Sequence, residues 1–246
     1  MEPEIQMMDS TPKRSFFEVW SIPLAIVVAG LFIAGAVYMK GPTGGSATAP
    51  NQFDVKNTKT TMKPVSAEDH LLGNPDADLI IVVYSDTECP YCKVFHNTMR
   101  QIMAEYGKNG RVAWVYRLLP LEQLHQRAPK ETEAALCVSE LGGKAKFWDY
   151  LDSIFETTGS NDSLDTAQLP LLASKLGIDT KAFNSCLSSG KYTATVKAMV
   201  QEGMQAGAQG TPYSVIVTKK GETFPIEGAF PYANLKPIID SLLKSK

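Results

Sequence analysis

Two cysteines, Cys89 and Cys92, flank Pro90 and Tyr91 directly after the apolar run Leu79-Ile80-Ile81-Val82-Val83-Tyr84, and this pairing constrains the chain more than any other feature. Thiols at that spacing close into a disulfide only where the chain turns sharply. A helix starting at the first cysteine supplies the turn and lowers that cysteine's pKa. Strand, C-x-x-C, helix is therefore the sequence form of a redox-active dithiol. The same pair could also be half of a zinc site, because thiolates bind metal. A structural zinc site takes four ligands, and no second C-x-x-C or neighbouring Cys/His pair completes this one. His96, one turn beyond Cys92, brings the set only to three, so the balance favours redox chemistry.

The chain has 246 residues and a formal charge of −2, which suits one globular domain with appendages. Its 24 Lys and Arg against 26 Asp and Glu form no basic stripe, which argues against nucleic acid as a partner. The departure from average is at the N-terminus, where residues 22–39 carry no charge. As a helix they would reach roughly 27 Å, close to the hydrocarbon thickness of a bilayer. Trp20 and Tyr38 lie near the two ends, where amphipathic rings favour the interface. Residues 21–40 are read as an uncleaved transmembrane anchor behind a short cytoplasmic tail, 1–20, that carries Lys13 and Arg14. A cleavable signal peptide is the alternative, with Ala34-Gly35-Ala36 or Ala47-Thr48-Ala49 as the small-residue site. Residues 41–64, rich in Gly, Pro, Thr and Lys, read as a flexible linker. Such a tether would span roughly 25–30 Å end to end.

From about residue 65 the chain becomes periodic. Leu79–Tyr84 reads as a strand buried on both faces, and a helix follows with Phe95, Met99 and Tyr106 at helical spacing. Val112–Leu118 is a second strand, so the order is βαβ, a parallel pair with a right-handed crossover. Helices are expected over 129–141, 144–156, 166–176 and 180–187, with Gly142-Gly143, the 158–161 segment and Gly177 between them. A fifth, 191–206, carries Tyr192, Val196, Met199, Val200 and Met204 on one face. Strands return at 213–218 and 223–227 around a solvated Lys219-Lys220-Gly221 hairpin tip, and a final helix turns Leu235, Ile239 and Leu243 inward.

In this order the landmarks resemble those of the DsbA-like thiol–disulfide oxidoreductases, in particular their membrane-tethered bacterial form. They are Gly73-Asn74-Pro75-Asp76-Ala77, then Tyr84 to Cys92, Ala134-Ala135-Leu136-Cys137, Lys146 to Tyr150, Phe183 to Leu187, and Gly210-Thr211-Pro212. The resemblance implies an α/β thioredoxin-like fold over 65–246, with a helical subdomain inserted at about 128–190. Two positions depart from the family pattern. Strong oxidants of the family carry His where this chain has Tyr91, and many members carry a buried acid at the position of Val83. Asp86 and Glu88 are close by in sequence, but neither can be placed as a proton relay from sequence.

The resemblance implies that Cys89 is the reactive cysteine and Cys92 the resolving one, with Pro90 and Tyr91 tuning the site. Thr211 and a cis Pro212 would bind an extended substrate through backbone groups. Four cysteines allow three pairings, and the C-x-x-C claims one. In an oxidising compartment the remaining two, Cys137 and Cys186, are expected to pair, closing a loop worth roughly 4 kcal/mol. The alternative is two buried thiols acting as small apolar residues. The histidines contribute little: His96 is expected on an exposed helix face, and His70 and His125 form no triad or metal spacing with it. Trp148 and Phe147 read as core.

The expected function is an extracytoplasmic protein-disulfide oxidoreductase that introduces disulfides into exported, cysteine-containing proteins. No cofactor or metal is expected. Reoxidation would come from a quinone-linked membrane thiol oxidase of DsbB or VKOR type. An isomerase or reductase using the same site, or a tethered metal-binding domain using Cys89, Cys92 and His96, are the rival readings.

Overall fold

A five-stranded mixed sheet runs through residues 56–244, the part of the chain that the computed structural model describes. The expected tail, membrane anchor and first part of the linker lie outside the described residues. Among the described residues, no helix is long and apolar enough to cross a membrane. The strands are β1 (His70–Leu72), β2 (Leu79–Ser85), β3 (Val112–Leu118), β4 (Tyr213–Thr218) and β5 (Thr223–Glu227). They lie in the order β1-β3-β2-β4-β5. The helices are α1 (Pro90–Ile102), α2 (Ala128–Thr157), α3 (Leu169–Lys175), α4 (Thr180–Ser188), α5 (Thr193–Gln205) and α6 (Tyr232–Lys244).

Only β2 and β3 are parallel, as the crossover through α1 requires; β1, β4 and β5 pair antiparallel to their neighbours. The central strand β2 is flanked on both sides, with Ile81 opposite Trp114 on one side and Ile216 on the other. Its β-branched run suits that position, because each side chain meets a protein layer. Alternation sends Leu79, Ile81 and Val83 to the face covered by Phe95 and Met99 of α1 and by Leu235 and Ile239 of α6. Val82 and Tyr84 point the other way, to a smaller cluster with Val115, Val215, Ala206 and Ala208.

That second face is closed partly by a segment the sequence assigns to the linker. Met62 packs on it, beside Val65 at the expected start of the domain. The Thr58 amide donates to the Thr223 carbonyl at 2.9 Å, and the Thr223 hydroxyl donates to the Thr58 carbonyl at 2.6 Å. The Lys63 amide donates to Glu202 in α5. The last residues of the expected tether thus lie against the domain.

The strands expected at 112–118, 213–218 and 223–227 have those bounds, and β2 extends one residue further, to Ser85. The three-residue β1 is too short to show a period in the sequence. On α5, Gly203 rather than Met204 meets the sheet: a Cβ at Gly203 would come within 3.3 Å of the Tyr84 ring of β2 and 3.0 Å of the Leu119 side chain just after β3, whereas Met204 is 56% exposed.

Helices α2 to α4 form the insertion between β3 and α5. Gly143 breaks α2 with φ 79° and ψ 178°, dividing it where two helices are expected. In place of one helix over 166–176 there is a 3-10 turn, Thr166–Gln168, before α3. Pro170, in the first turn of α3, loses no helical hydrogen bond. The Asp179 carboxylate caps α4 by accepting from the Ala182 amide at 2.8 Å. Phe147 and Trp148 are core, stacked around Trp114, Tyr116 and His70. The Cys137 and Cys186 sulfurs are bonded to each other, joining α2 to α4 across 49 positions. Replacing both cysteines by serine should lower unfolding stability by roughly 4 kcal/mol in the chain-entropy model, which urea denaturation of oxidised protein would read. Equal midpoints for the two proteins would show that the cross-link restrains nothing.

Candidate active site

The end of β2 is held by one carboxylate. Asp86 has a fully buried side chain that accepts hydrogen bonds from the Glu88 amide at 2.8 Å, the Leu121 amide at 2.7 Å and His125 Nδ1 at 3.0 Å. The Leu119 amide closes the same corner onto the Ser85 carbonyl at 2.8 Å. With the turn fixed, α1 begins at Pro90, whose ring presets φ for a first helical turn and removes a donor that would have no partner there. Cys89 is the N-cap, in extended conformation, which places its side chain at the positive end of the helix dipole.

The two thiols are unbonded and unequally placed. Cys92 is 1% exposed, and its Sγ accepts from the Asp86 amide at 3.4 Å. Cys89 is buried less completely, and its Sγ lies 3.4 Å from the carbonyl oxygen of Thr211, 122 positions away. A hydrogen bond from Cys92 outweighs burial and, with amides of the first turn and Thr211, holds the Cys89 pKa down to about 6. Burial, then the neighbouring Cys89, push Cys92 well above the ordinary thiol range. One cysteine is thus a thiolate at neutral pH and the other a thiol.

The Thr211–Pro212 peptide is cis, and Pro212 is buried beside the dithiol loop. Tyr91, between the cysteines, is 67% exposed, and Val94 one turn on is exposed too. Five sequence candidates therefore meet at one end of the sheet: Cys89, Cys92 and Pro90 at the start of α1, with Thr211 and Pro212 opposite. Tyr91 faces outward from the same turn.

Other residues stand differently from expectation. Val83 is buried apolar core, so no acid occupies that position. Asp86 and Glu88 are instead both buried. The Glu88 carboxylate accepts from the Thr158 hydroxyl at 2.9 Å and from the Ser163 and Leu164 amides. Its carbonyl accepts from the Asn161 amide at 2.8 Å. Those contacts hold a turn in which Ser160, Asn161 and Asp162 all have positive φ, a conformation non-glycine residues seldom adopt.

Glu131, in the first turn of α2, accepts from the Thr87 hydroxyl at 2.5 Å. Burial, joined by the nearby Glu88 and Asp86 charges, pushes its pKa up to about 9. An acidic residue in a first helical turn reads in sequence as a solvated partner of the helix dipole, so nothing in the sequence marked it as buried.

His96 corrects the expectation of an exposed helix residue. It is 4% exposed, stacked near Trp114 and Phe155, and bonded to Asp152 at 2.6 Å. The α1 turn carries it away from the thiols toward α2, so it does not join them as a third ligand. Among the described residues, no three His, Cys, Asp or Glu side chains are arranged to hold a metal ion. His70 stacks on Phe147 and bonds to Ser139, and burial, then Lys144, lower its pKa to about 4. His125, the third, belongs to the site through Asp86.

A parallel–antiparallel sheet with a dithiol at the N-terminus of its crossover helix and a cis-proline turn facing it defines a thioredoxin-type redox domain. A thioredoxin family model, Thioredoxin_4, matches residues 66–240. DsbA2 of Pseudomonas aeruginosa superposes with a TM-score of 0.60 at 26% identity, covering 74% of this chain and 98% of that one. BdbD of Bacillus subtilis, oxidised, gives 0.65 at 21%, covering 76% and 100%. The alpha-DsbA1 of Wolbachia pipientis gives 0.64 at 20%, covering 74% and 94%. The chain belongs to the thioredoxin family, among its DsbA-like thiol–disulfide oxidoreductases. Among curated proteins it is 30% identical over 152 residues to the Na(+)/H(+) antiporter NhaA 3 of Salinispora tropica. It is 31% identical over 150 residues to NhaA of Herminiimonas arsenicoxydans. The matched part is 61% of this chain and 22% of either relative, so the chain spans about a fifth of their length.

Two titrations test this electrostatic arrangement. In reduced protein, thiolate absorbance at 240 nm should rise with a midpoint near pH 6 and vanish in Cys89→Ser. Because that pKa is depressed from 9.0, the thiolate's contribution to the stability of the reduced form is complete above pH 9. It is lost as pH falls through 6. Glu131 has the opposite sign: its raised pKa adds stability that is full below pH 4.5 and lost as pH rises through 9. Urea unfolding of Glu131→Gln should lack that decline. An identical pH profile in the two proteins would remove Glu131 from the account.

Proposed function

We propose that this protein is an extracytoplasmic thiol oxidase that passes the disulfide of Cys89 and Cys92 to exported, cysteine-containing proteins. The observation that carries this reading is the inequality of the two thiols, with a stabilised thiolate at the cap of α1 and a buried neutral thiol behind it. A stabilised thiolate favours the reduced dithiol, which makes the disulfide form the better oxidant.

A substrate thiolate bonds to Cys89 Sγ as the Cys89–Cys92 bond breaks. The electron pair leaves on Cys92, which takes up a proton. A second substrate thiolate then attacks the substrate sulfur of the mixed disulfide, and Cys89 leaves as the thiolate. The substrate gains one disulfide and the enzyme gains two electrons. Thr211 and Pro212 would align the substrate backbone beside Cys89. Tyr91, exposed between the cysteines, and Pro90 would tune contact and solvation. Cys137 and Cys186 would brace the helical insertion. A membrane thiol oxidase, quinone-linked, would accept the electrons and restore the disulfide.

The apolar stretch within 21–40 supports a membrane anchor, with residues 1–20 on the cytoplasmic side. Antiport is not carried over from the NhaA relatives, of which the matched part is a minor fraction.

Equilibration of the dithiol with glutathione buffers tests the oxidase reading. A potential more oxidising than about −200 mV is expected, and a potential near −270 mV would overturn it in favour of a reductase. Cys89→Ser should abolish oxidation of a model dithiol peptide.

A further inference from the structure

His125 is a titratable side chain at the dithiol that lies outside the C-x-x-C helix and that the exchange steps above do not use. The corner of the chain after β3 delivers it: the Leu121 amide bonds to Asp86, the His125 amide returns to the Leu121 carbonyl at 2.9 Å, and His125 Nδ1 reaches Asp86 at 3.0 Å. The ring is buried. The charged groups around it are Asp86 from the β2–α1 turn, Cys89 at the cap of α1, whose amide donates to the Asp86 carbonyl at 3.3 Å, and Asp162 from the turn after α2. Asp162 is itself fixed by the Gln126 and Arg127 amides at 2.9 and 2.8 Å. Glu131 interacts with both Glu88 and Asp86.

A buried carboxylate at the foot of the dithiol has a consequence for the reaction. Asp86 alone would oppose a second negative charge on Cys89, and low local polarity strengthens the opposition. The Asp86 backbone amide already serves Cys92, so the same residue touches both the resolving thiol and the histidine. A cation held on Asp86 cancels the opposition and leaves the Cys89 thiolate favoured.

Resting on the oxidoreductase reading, we propose that Asp86 and His125 are a positioning pair for the dithiol: Asp86 orients the imidazole through Nδ1, and the imidazolium is the counter-charge to the Cys89 thiolate. The exposed Tyr91 supplies no charge at the helix cap, and the histidine reaches the site from a loop remote in sequence. Burial opposes charging of the ring, but the Asp86 carboxylate outweighs it, and Cys89 and Asp162 act in the same direction, so His125 titrates above its ordinary value. Coupling of this kind is reciprocal. If the imidazolium favours the thiolate, the thiolate must favour the imidazolium by the same factor.

That reciprocity gives a test on the unaltered chain. An NMR titration of the His125 ring should place its midpoint higher in reduced protein, which carries the thiolate, than in oxidised protein, which does not. Coincident midpoints would overturn the proposal. In His125→Gln the acid dissociation constant of Cys89, read at 240 nm, should fall by about tenfold, within the usual range for coupled sites. The disulfide should become a weaker oxidant in the same proportion. A role confined to folding would lower stability and leave both readings in place, and that result also counts against the pair. Asp86→Asn should lower the pH at which His125 titrates; an unmoved midpoint would remove Asp86 as its orienting partner. If Cys89 and Cys92 do not interconvert between dithiol and disulfide at all, the functional reading fails and takes this inference with it. If they interconvert normally and His125 is indifferent to their state, the inference alone fails.

Discussion

The three hydrogen bonds accepted by the Asp86 carboxylate hold the point at which β2 gives way to α1, and the chemistry of the site depends on that corner. A strand leaving the sheet one residue earlier or later would turn Cys92 out of its buried position and move Cys89 off the helix cap. Because the corner is tied to the Leu121 and Glu88 amides and to His125, the turn is specified by partners on both sides of the sheet's end. Cys89 then lies at the cap, near Thr211, while Cys92 packs beneath with 1% exposure. Their inequality follows from position: both are cysteines, and only one can use the amides and the dipole of α1.

A second layer of carboxylates surrounds this corner. Glu88 anchors the positive-φ turn at 160–162, and Glu131, with a pKa near 9, lies against Thr87. Three buried acids around the dithiol turn are costly unless they are bonded or neutral. Here Asp86 and Glu88 are each satisfied by several donors, and Glu131 is held neutral by burial and by the Glu88 and Asp86 charges. The helical insertion is thereby fastened to the redox turn through α2 and the loop that follows it.

Much of the sheet was legible from residue order alone. The run from Leu79 to Tyr84 signals a strand buried on both faces, and the hairpin at Lys219-Lys220-Gly221 follows from its turn residues. Gly142-Gly143 marks the break in α2 because glycine reaches positive φ without a steric cost. The cysteines were likewise visible, since a dithiol at that spacing carries a local signature, whereas Thr211-Pro212 was legible only through the resemblance to the DsbA-like family. What stayed hidden depends on how distant segments meet. His96 sits at an ordinary helical position, and only the docking of α2 buries it against Phe155 and Asp152. His125 lies in an irregular loop with no period, and its partner Asp86 is 39 positions away. The strand β1 has three residues, and Met62 lies in a segment with the composition of a linker yet packs on the sheet.

Trapping the covalent intermediate tests the division of labour between the two cysteines. Reduced Cys92→Ser protein would be mixed with a peptide carrying an activated disulfide, and the adduct located by mass spectrometry. A stable mixed disulfide should form on Cys89, faster as pH rises through 6, with no comparable adduct in Cys89→Ser protein. An adduct that forms equally well on Cys92 when Cys89 is replaced would contradict that division.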